Sequence, residues 1–230
     1  MNSLIESLKA TRTIKKEEIE NYIFDIAQEC NLYVTSITFI NNGCTGYYNY
    51  KTGEMNINYD KILESFRSKE IKNINNFNFE IVLAIIHELT HAVQQKQIYD
   101  DETFKKFPTY YTFLISNYFS IVNNNDFYCE NHDDFATEYS ANVISYLSTM
   151  NLLKIYNLDC SYVETQYKDY LKKHEAFNLE KNIYDENLLT NIANSEIRDD
   201  VLFKYRYALQ HFGTEQNLTK EECEIYGYKK

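Results

Sequence analysis

The strongest hydrophobic pattern in the chain lies between residues 77 and 97, where apolar positions occur on nearly every side of a helix. A helix that is apolar all round is typical of a protein interior. The pattern therefore predicts a buried central helix over residues 77–97. Its apolar residues are Ile81, Val82, Leu83, Ile85, Ile86, Leu89, Ala92 and Val93.

The pattern before this helix predicts one helix and a small antiparallel sheet. Apolar positions at helical spacing favour a helix over 15–30. A run rich in β-branched and aromatic residues favours a strand over 32–40. Two alternating runs, 45–50 and 55–59, flank a glycine-containing turn and predict a hairpin. Residues 60–76 predict a short helix and then an asparagine-rich loop.

After the central helix the pattern is mostly helical. Pro108 marks a bend, 110–122 predict an apolar helix, and another helix begins near Asn131 and includes Ile144. Residues 160–212 are also helical by pattern. We therefore expect an α+β fold in one domain over residues 1–230. Residues 1–100 would form a helix, the sheet and the central helix, and residues 101–230 a helical part.

Composition narrows the classes of partner and compartment. The formal charge of −11 argues against a nucleic-acid partner, because phosphate binding needs a basic surface. No apolar run approaches 18 residues and no signal peptide is recognisable, which predicts a cytoplasmic protein without a membrane partner and leaves leaderless export open. The five cysteines have no metal-ligand spacing and are expected to be free thiols. Nothing in the sequence indicates the oligomeric state.

The central helix carries the candidate chemistry, in the motif His87-Glu88-Leu89-Thr90-His91. Residues i and i+4 lie on one face of a helix, so His87 and His91 can point two imidazoles at one metal ion. Glu88 follows the first histidine and can reach a water on that metal as the general base. This spacing is typical of a zinc (Zn2+) metalloprotease.

A catalytic zinc needs a third protein ligand. The residues after His91 lack the third histidine of the metzincin class. Glu138 is the best candidate, because it lies in an apolar helical stretch where a carboxylate without a partner would be costly. Asp134, one helical turn earlier, and His132 are the alternatives. His174 and His211 have no spacing support and are expected to be core or surface residues.

The stretch Glu138-Tyr139-Ser140-Ala141-Asn142 resembles the Glu-x-x-Ala-Asp/Asn element of gluzincin peptidases. Together with the His-Glu-x-x-His motif, the chain most resembles the small bacterial ImmA/IrrE-type intracellular metallopeptidases. The stretch from His91 to Gln95 also resembles metallopeptidase-like domains of secreted bacterial toxins. The gluzincin resemblance covers two motifs and implies a zincin-like fold, with the small sheet packed on the central helix. It also implies Glu138 as the third zinc ligand.

The resemblance suggests a role for Asn142, and helical spacing and zinc chemistry suggest roles for further residues. Asn142, where Asp is common, would orient a ligand histidine, and Asp134 is a second candidate for that role. The hairpin would either hold an extended substrate at its edge or serve only to stabilise the fold, because an edge strand is not visible from sequence. Stabilisation of the carbonyl oxygen needs a further donor, and the sequence does not choose among the candidates. These are Tyr139, His132, Tyr205, Arg206 and Tyr207.

The predicted function is hydrolysis of a peptide bond in a protein or peptide substrate by a zinc metallopeptidase. In that function, a zinc-bound water is activated by Glu88. The alternative is a non-catalytic zincin-fold module that binds or regulates a partner, with a structural metal or none.

Overall fold

A computed structural model describes residues 2–41, 43–68, 70–123, 136–174, 201, 203, 204 and 220. Within these residues the protein is α+β, as predicted, and mostly helical. The strands are β1 (Ser36–Thr38), β2 (Gly46–Tyr48) and β3 (Glu54–Ile57). The helices are α1 (Asn2–Lys9), α2 (Lys16–Glu29), α3 (Tyr59–Arg67), α4 (Ile74–Ile98), α5 (Asp101–Lys106), α6 (Pro108–Asn123), α7 (Ala136–Ile155) and α8 (Ser161–Lys173).

Most predicted elements are present, with different ends. The central helix is α4, which begins three residues earlier than the pattern indicated. Pro108 begins α6, where a missing backbone N–H costs nothing. Helices α1 and α5 were not predicted. The start of the helix predicted near Asn131, and residues 175–200 of the predicted C-terminal helical part, lie outside the described residues.

The sheet has the order β1-β3-β2, which corrects the prediction of an antiparallel sheet. Strands β2 and β3 form the predicted antiparallel hairpin, with Gly46 opposite Ile57. Strand β1 instead runs parallel to β3, with Ser36 opposite Glu54, so the sheet is mixed. Strands β1 and β2, which are consecutive in the chain, therefore lie on opposite edges of the sheet with β3 between them. Alternation of apolar and polar residues is the same for both strand directions, so the pattern could not reveal this arrangement.

The buried side chain of Asn56 explains why β1 ends at Thr38 although the pattern predicted a strand to residue 40. Its Oδ1 atom accepts hydrogen bonds from the Ile40 N–H at 2.8 Å and the Thr38 hydroxyl at 3.0 Å. Its Nδ2 atom donates to the Ile40 carbonyl at 3.1 Å. The Asn56 side-chain amide thus bonds to the backbone N–H and the carbonyl of Ile40, as the backbone of a neighbouring strand would otherwise do.

The chain divides into two compact units, residues 1–95 with 141–173 and residues 96–140 with 174–230. The first unit includes the sheet and most of α4. Residues opposite each other in an antiparallel pair share one face. Gly46 and Tyr48 therefore face the same side as Ile57 and Met55, both fully buried. Helix α8 is bonded to α4 in this unit, because the Tyr162 hydroxyl donates to the Glu80 carboxylate.

The second unit contains α5, α6 and the first residues of α7. The Asp100 side chain accepts hydrogen bonds from the backbone of Glu102 and Thr103 and so caps α5. The Tyr111 hydroxyl donates to the Ile98 carbonyl at 2.9 Å. Buried Asn117 accepts a hydrogen bond from the Thr137 N–H at 3.0 Å, which satisfies a backbone donor in the first turn of α7.

Among the described residues no helix has the length and hydropathy that a membrane span requires.

A charged cluster joins α1, α2 and the turn between them. The Glu18 carboxylate accepts hydrogen bonds from both terminal nitrogens of Arg12, at 2.6 and 3.0 Å. It also accepts from the Ser7 hydroxyl at 3.0 Å and the Lys15 N–H at 2.9 Å. The bond from Arg12 lowers the pKa of Glu18 most, and with the other donors brings it to about 2 despite partial burial.

Glu18→Gln is expected to lower the free energy of unfolding at pH 7 by about 1–2 kcal/mol, a figure reduced because Arg12 is partly exposed to solvent. The folded-state pKa lies below the unfolded value, so this contribution is present above pH 4.5 and is lost as the pH falls toward about 2. Urea unfolding of both proteins between pH 7 and 2.5 measures the difference. Exposed Glu17 is on the same helical turn, and Glu17→Gln is the matched control. A difference that does not shrink in acid would contradict this assignment.

Candidate metal centre

Helix α4 brings the two motif histidines together as predicted. The Nε2 atoms of His87 and His91 lie 3.0 Å apart, and their ring centroids are separated by 4.7 Å. His91 is buried, with 4% of its surface exposed, whereas His87 is half-buried. The i and i+4 spacing thus directs the Nε2 atoms of both rings toward one point beside the same helix face.

Glu138 completes a group of three candidate ligands with His87 and His91. One ligand atom of each residue lies within 4.8 Å of the others, and no other such group occurs in the part of the chain that the structure describes. Glu138 lies in the first turn of α7 and is 1% exposed. The alternatives Asp134 and His132 lie outside the described residues. Two imidazoles and one carboxylate could hold a metal, since zinc and non-haem iron(II) both accept this donor set.

The carboxylate of Glu88 lies against the backbone of β2. Glu88 is 4% exposed. A Cβ atom added at Gly46 would be 2.6 Å from Glu88 Oε1 and 2.8 Å from the carbonyl oxygen of Asn56. Only glycine leaves room for this approach, so the first residue of β2 helps to fix the position of the predicted general base.

The far side of the His91 ring contacts two polar residues that the sequence reasoning missed. Its Nδ1 atom is 2.8 Å from Gln94 Oε1 and 3.1 Å from the Tyr50 hydroxyl. The Tyr50 hydroxyl also donates to Gln94 Oε1 at 3.3 Å. Both residues are buried. The i and i+3 spacing of His91 and Gln94 was a sequence signal for one partner, but nothing in the sequence indicated Tyr50.

Gln95 fastens the hairpin to α4. Its Oε1 atom accepts a hydrogen bond from the Tyr48 hydroxyl, and its Nε2 atom donates to the Tyr50 carbonyl. Gln95 is 6% exposed, so these bonds are shielded from water. The hairpin therefore contacts the motif helix beside Glu88, His91 and Gln95.

The remaining predicted residues are placed as follows. Asn142 is half-buried on α7, where its backbone carbonyl accepts a hydrogen bond from the Ser145 hydroxyl at 2.7 Å, and its orienting role stays a prediction. Tyr139 is buried with its ring centroid 6.3 Å from that of His174, so His174 packs against Tyr139. The role of Tyr139 as an oxygen donor also stays a prediction. The residues Tyr205, Arg206, Tyr207 and His211 lie outside the described part of the chain.

Comparison with known proteins found no relative of this chain. Searches with protein-family models, curated protein sequences and solved structures found no match to this chain. The gluzincin resemblance therefore rests on the two sequence motifs, and the metal centre rests on the geometry of His87, His91 and Glu138.

Proposed function

We propose that this protein is a zinc-dependent peptidase whose general base is Glu88. The observation that carries the proposal is the cluster of His87, His91 and Glu138, with their ligand atoms within 4.8 Å of one another. Two features support a catalytic metal over a purely structural one. The set contains three ligands, the number found in catalytic zinc sites, and a carboxylate directly follows the first histidine.

In this proposal His87, His91 and Glu138 hold the metal, and Glu88 moves the proton. Bound zinc would supply Lewis-acid polarisation of the scissile carbonyl and of water. The Glu88 carboxylate accepts a proton from the attacking water and returns it to the leaving amine nitrogen. Its burial against Gly46 restricts the carboxylate to one region and keeps bulk water from competing for it.

The edge strand β2 supports a peptide as the substrate class. Strand β3 pairs with one side of β2, and no strand in the described part of the chain pairs with its other side. An extended peptide can add to such an edge through main-chain hydrogen bonds. Gly46 lies both on this strand and against Glu88, so a peptide paired with β2 would run close to the general base.

One zinc ion per chain is expected to bind, measured by metal analysis of the protein dialysed against zinc. Loss of a residue that only supports a metal ligand weakens metal binding by roughly 10–100-fold. Glu138→Gln alters a ligand itself and should weaken zinc binding by more than this. Competition with a chromophoric chelator measures the affinity. Glu17→Gln, at an exposed position, is the control for the loss of one negative charge. Full zinc affinity in Glu138→Gln would remove Glu138 from the site.

Glu88→Gln is expected to reduce peptide hydrolysis by at least about 100-fold and to leave zinc stoichiometry unchanged, because the amide cannot accept the proton. A peptide library prepared from a proteome is incubated with each protein, and new chain ends are compared by mass spectrometry. Identical profiles for wild type and variant, with zinc bound in both, would favour the non-catalytic binding or regulatory module.

Gly46→Ala is expected to lower kcat by about 10-fold or more, because the added methyl group displaces the Glu88 carboxylate and misplacement by about 1 Å is costly in catalysis. Gly43 offers a control, since a Cβ atom there meets nothing within 4 Å although its φ of +85° strains other residues. Gly43→Ala should therefore lose about 1 kcal/mol of stability and keep its kcat. Equal kcat values for Gly46→Ala and wild type would show that β2 has no part in catalysis.

A further inference from the structure

We propose that Tyr50 and Gln94 are positioning residues for His91, which they hold in the one tautomer that can bind a metal through Nε2. The inference rests on the metal site of the proposed function and is independent of peptidase activity. It assigns to the hairpin, through Tyr50, a direct part in preparing a ligand on α4.

The geometry at Nδ1 decides where the ring hydrogen lies. Gln94 Oε1 is 2.8 Å from His91 Nδ1, and a carbonyl oxygen can only accept. His91 Nδ1 must therefore carry the hydrogen and donate it. A neutral imidazole has one such hydrogen, so Nε2 keeps its lone pair. This is the nitrogen that faces His87.

The Tyr50 hydroxyl fits the same arrangement. It donates its hydrogen to Gln94 Oε1 at 3.3 Å, and its oxygen lies 3.1 Å from His91 Nδ1, where it can accept a share of the imidazole hydrogen. All three contacts are satisfied together when Nδ1 of His91 carries the hydrogen. Reversing the His91 tautomer would set two acceptors, Nδ1 and Gln94 Oε1, against each other.

Burial makes this preference strong. Tyr50, His91 and Gln94 are 7%, 4% and 2% exposed, so water cannot readily replace the bonds among them. The usual partner of a metal-binding histidine is a carboxylate or a backbone carbonyl. Here the partner is a neutral amide, which fixes the ring without adding a negative charge to a centre that already contains Glu88 and Glu138.

Gln95 provides the matched control for this pair. It is the next residue on α4, it is also a buried glutamine, and it is also bonded to the hairpin, through the Tyr48 hydroxyl and the Tyr50 carbonyl. A general structural role would make Gln94→Leu and Gln95→Leu behave alike. A positioning role predicts that only the change at Gln94 alters the His91 tautomer.

The tautomer can be measured directly in the metal-stripped full-length protein, by long-range proton–nitrogen NMR of the histidine rings. The His91 signals are assigned by their absence in His91→Asn. We expect hydrogen on Nδ1 in wild type, in Gln94→Glu, which keeps an acceptor, and in Gln95→Leu. Gln94→Leu should place a substantial fraction of the hydrogen on Nε2, and Tyr50→Phe should shift the balance less.

Zinc alone is the second probe, by competition with a chromophoric chelator. Gln94→Leu should bind zinc about 10–100-fold more weakly than wild type, and Gln94→Glu should restore the affinity. Hydrogen on Nε2 of His91 in wild type would overturn the proposal, as would a Gln94→Leu protein with unchanged tautomer and zinc affinity. If Gln94→Leu does not fold, Gln94→Glu and Tyr50→Phe decide. Absence of zinc binding in wild type would refute the proposed function, while the NMR result still decides the assignment of Tyr50 and Gln94.

Discussion

The close approach of strand β2 to helix α4 is the constraint on which the candidate centre depends. Glycine at position 46 lets the strand backbone reach the Glu88 carboxylate, where any other residue would place a Cβ atom 2.6 Å from Oε1. The same hairpin then places Tyr50 against His91 and is fastened through Gln95. A helix alone supplies the spacing of the motif, whereas the hairpin supplies the contacts to Glu88 and His91.

Local spacing explains why half of the centre could be predicted from sequence. His87, Glu88 and His91 lie within one helical turn, and α4 is one of the best-defined hydrophobic patterns in the chain. Glu138 was inferred differently, from the cost of placing an acid in an apolar stretch and from a short resemblance. The structure brings it to the two histidines. Its buried position agrees with the physical reason for selecting it.

The parts that could not be predicted depend on contacts between distant residues. Tyr50 and His91 are separated by 41 positions, and 22 tyrosines gave no reason to select this one. The parallel pairing of β1 with β3 places β1 and β2 on opposite edges of the sheet, which leaves no trace in the alternation of side chains. The amide of Asn56 shortens β1 by bonding to Ile40, an effect that β-propensity does not contain.

The long sequence separation within the centre has a consequence for folding. Because the hairpin, α4 and α7 each contribute to it, the binding geometry forms only after contacts far apart in the chain have closed, and a peptide covering α4 alone would present two histidines without their support. A metal that binds this geometry binds the native state in preference to the unfolded chain. Its binding free energy then adds to the stability of the fold by mass action. Removal of a metal bound at this centre would thus lower the free energy of unfolding of the whole protein.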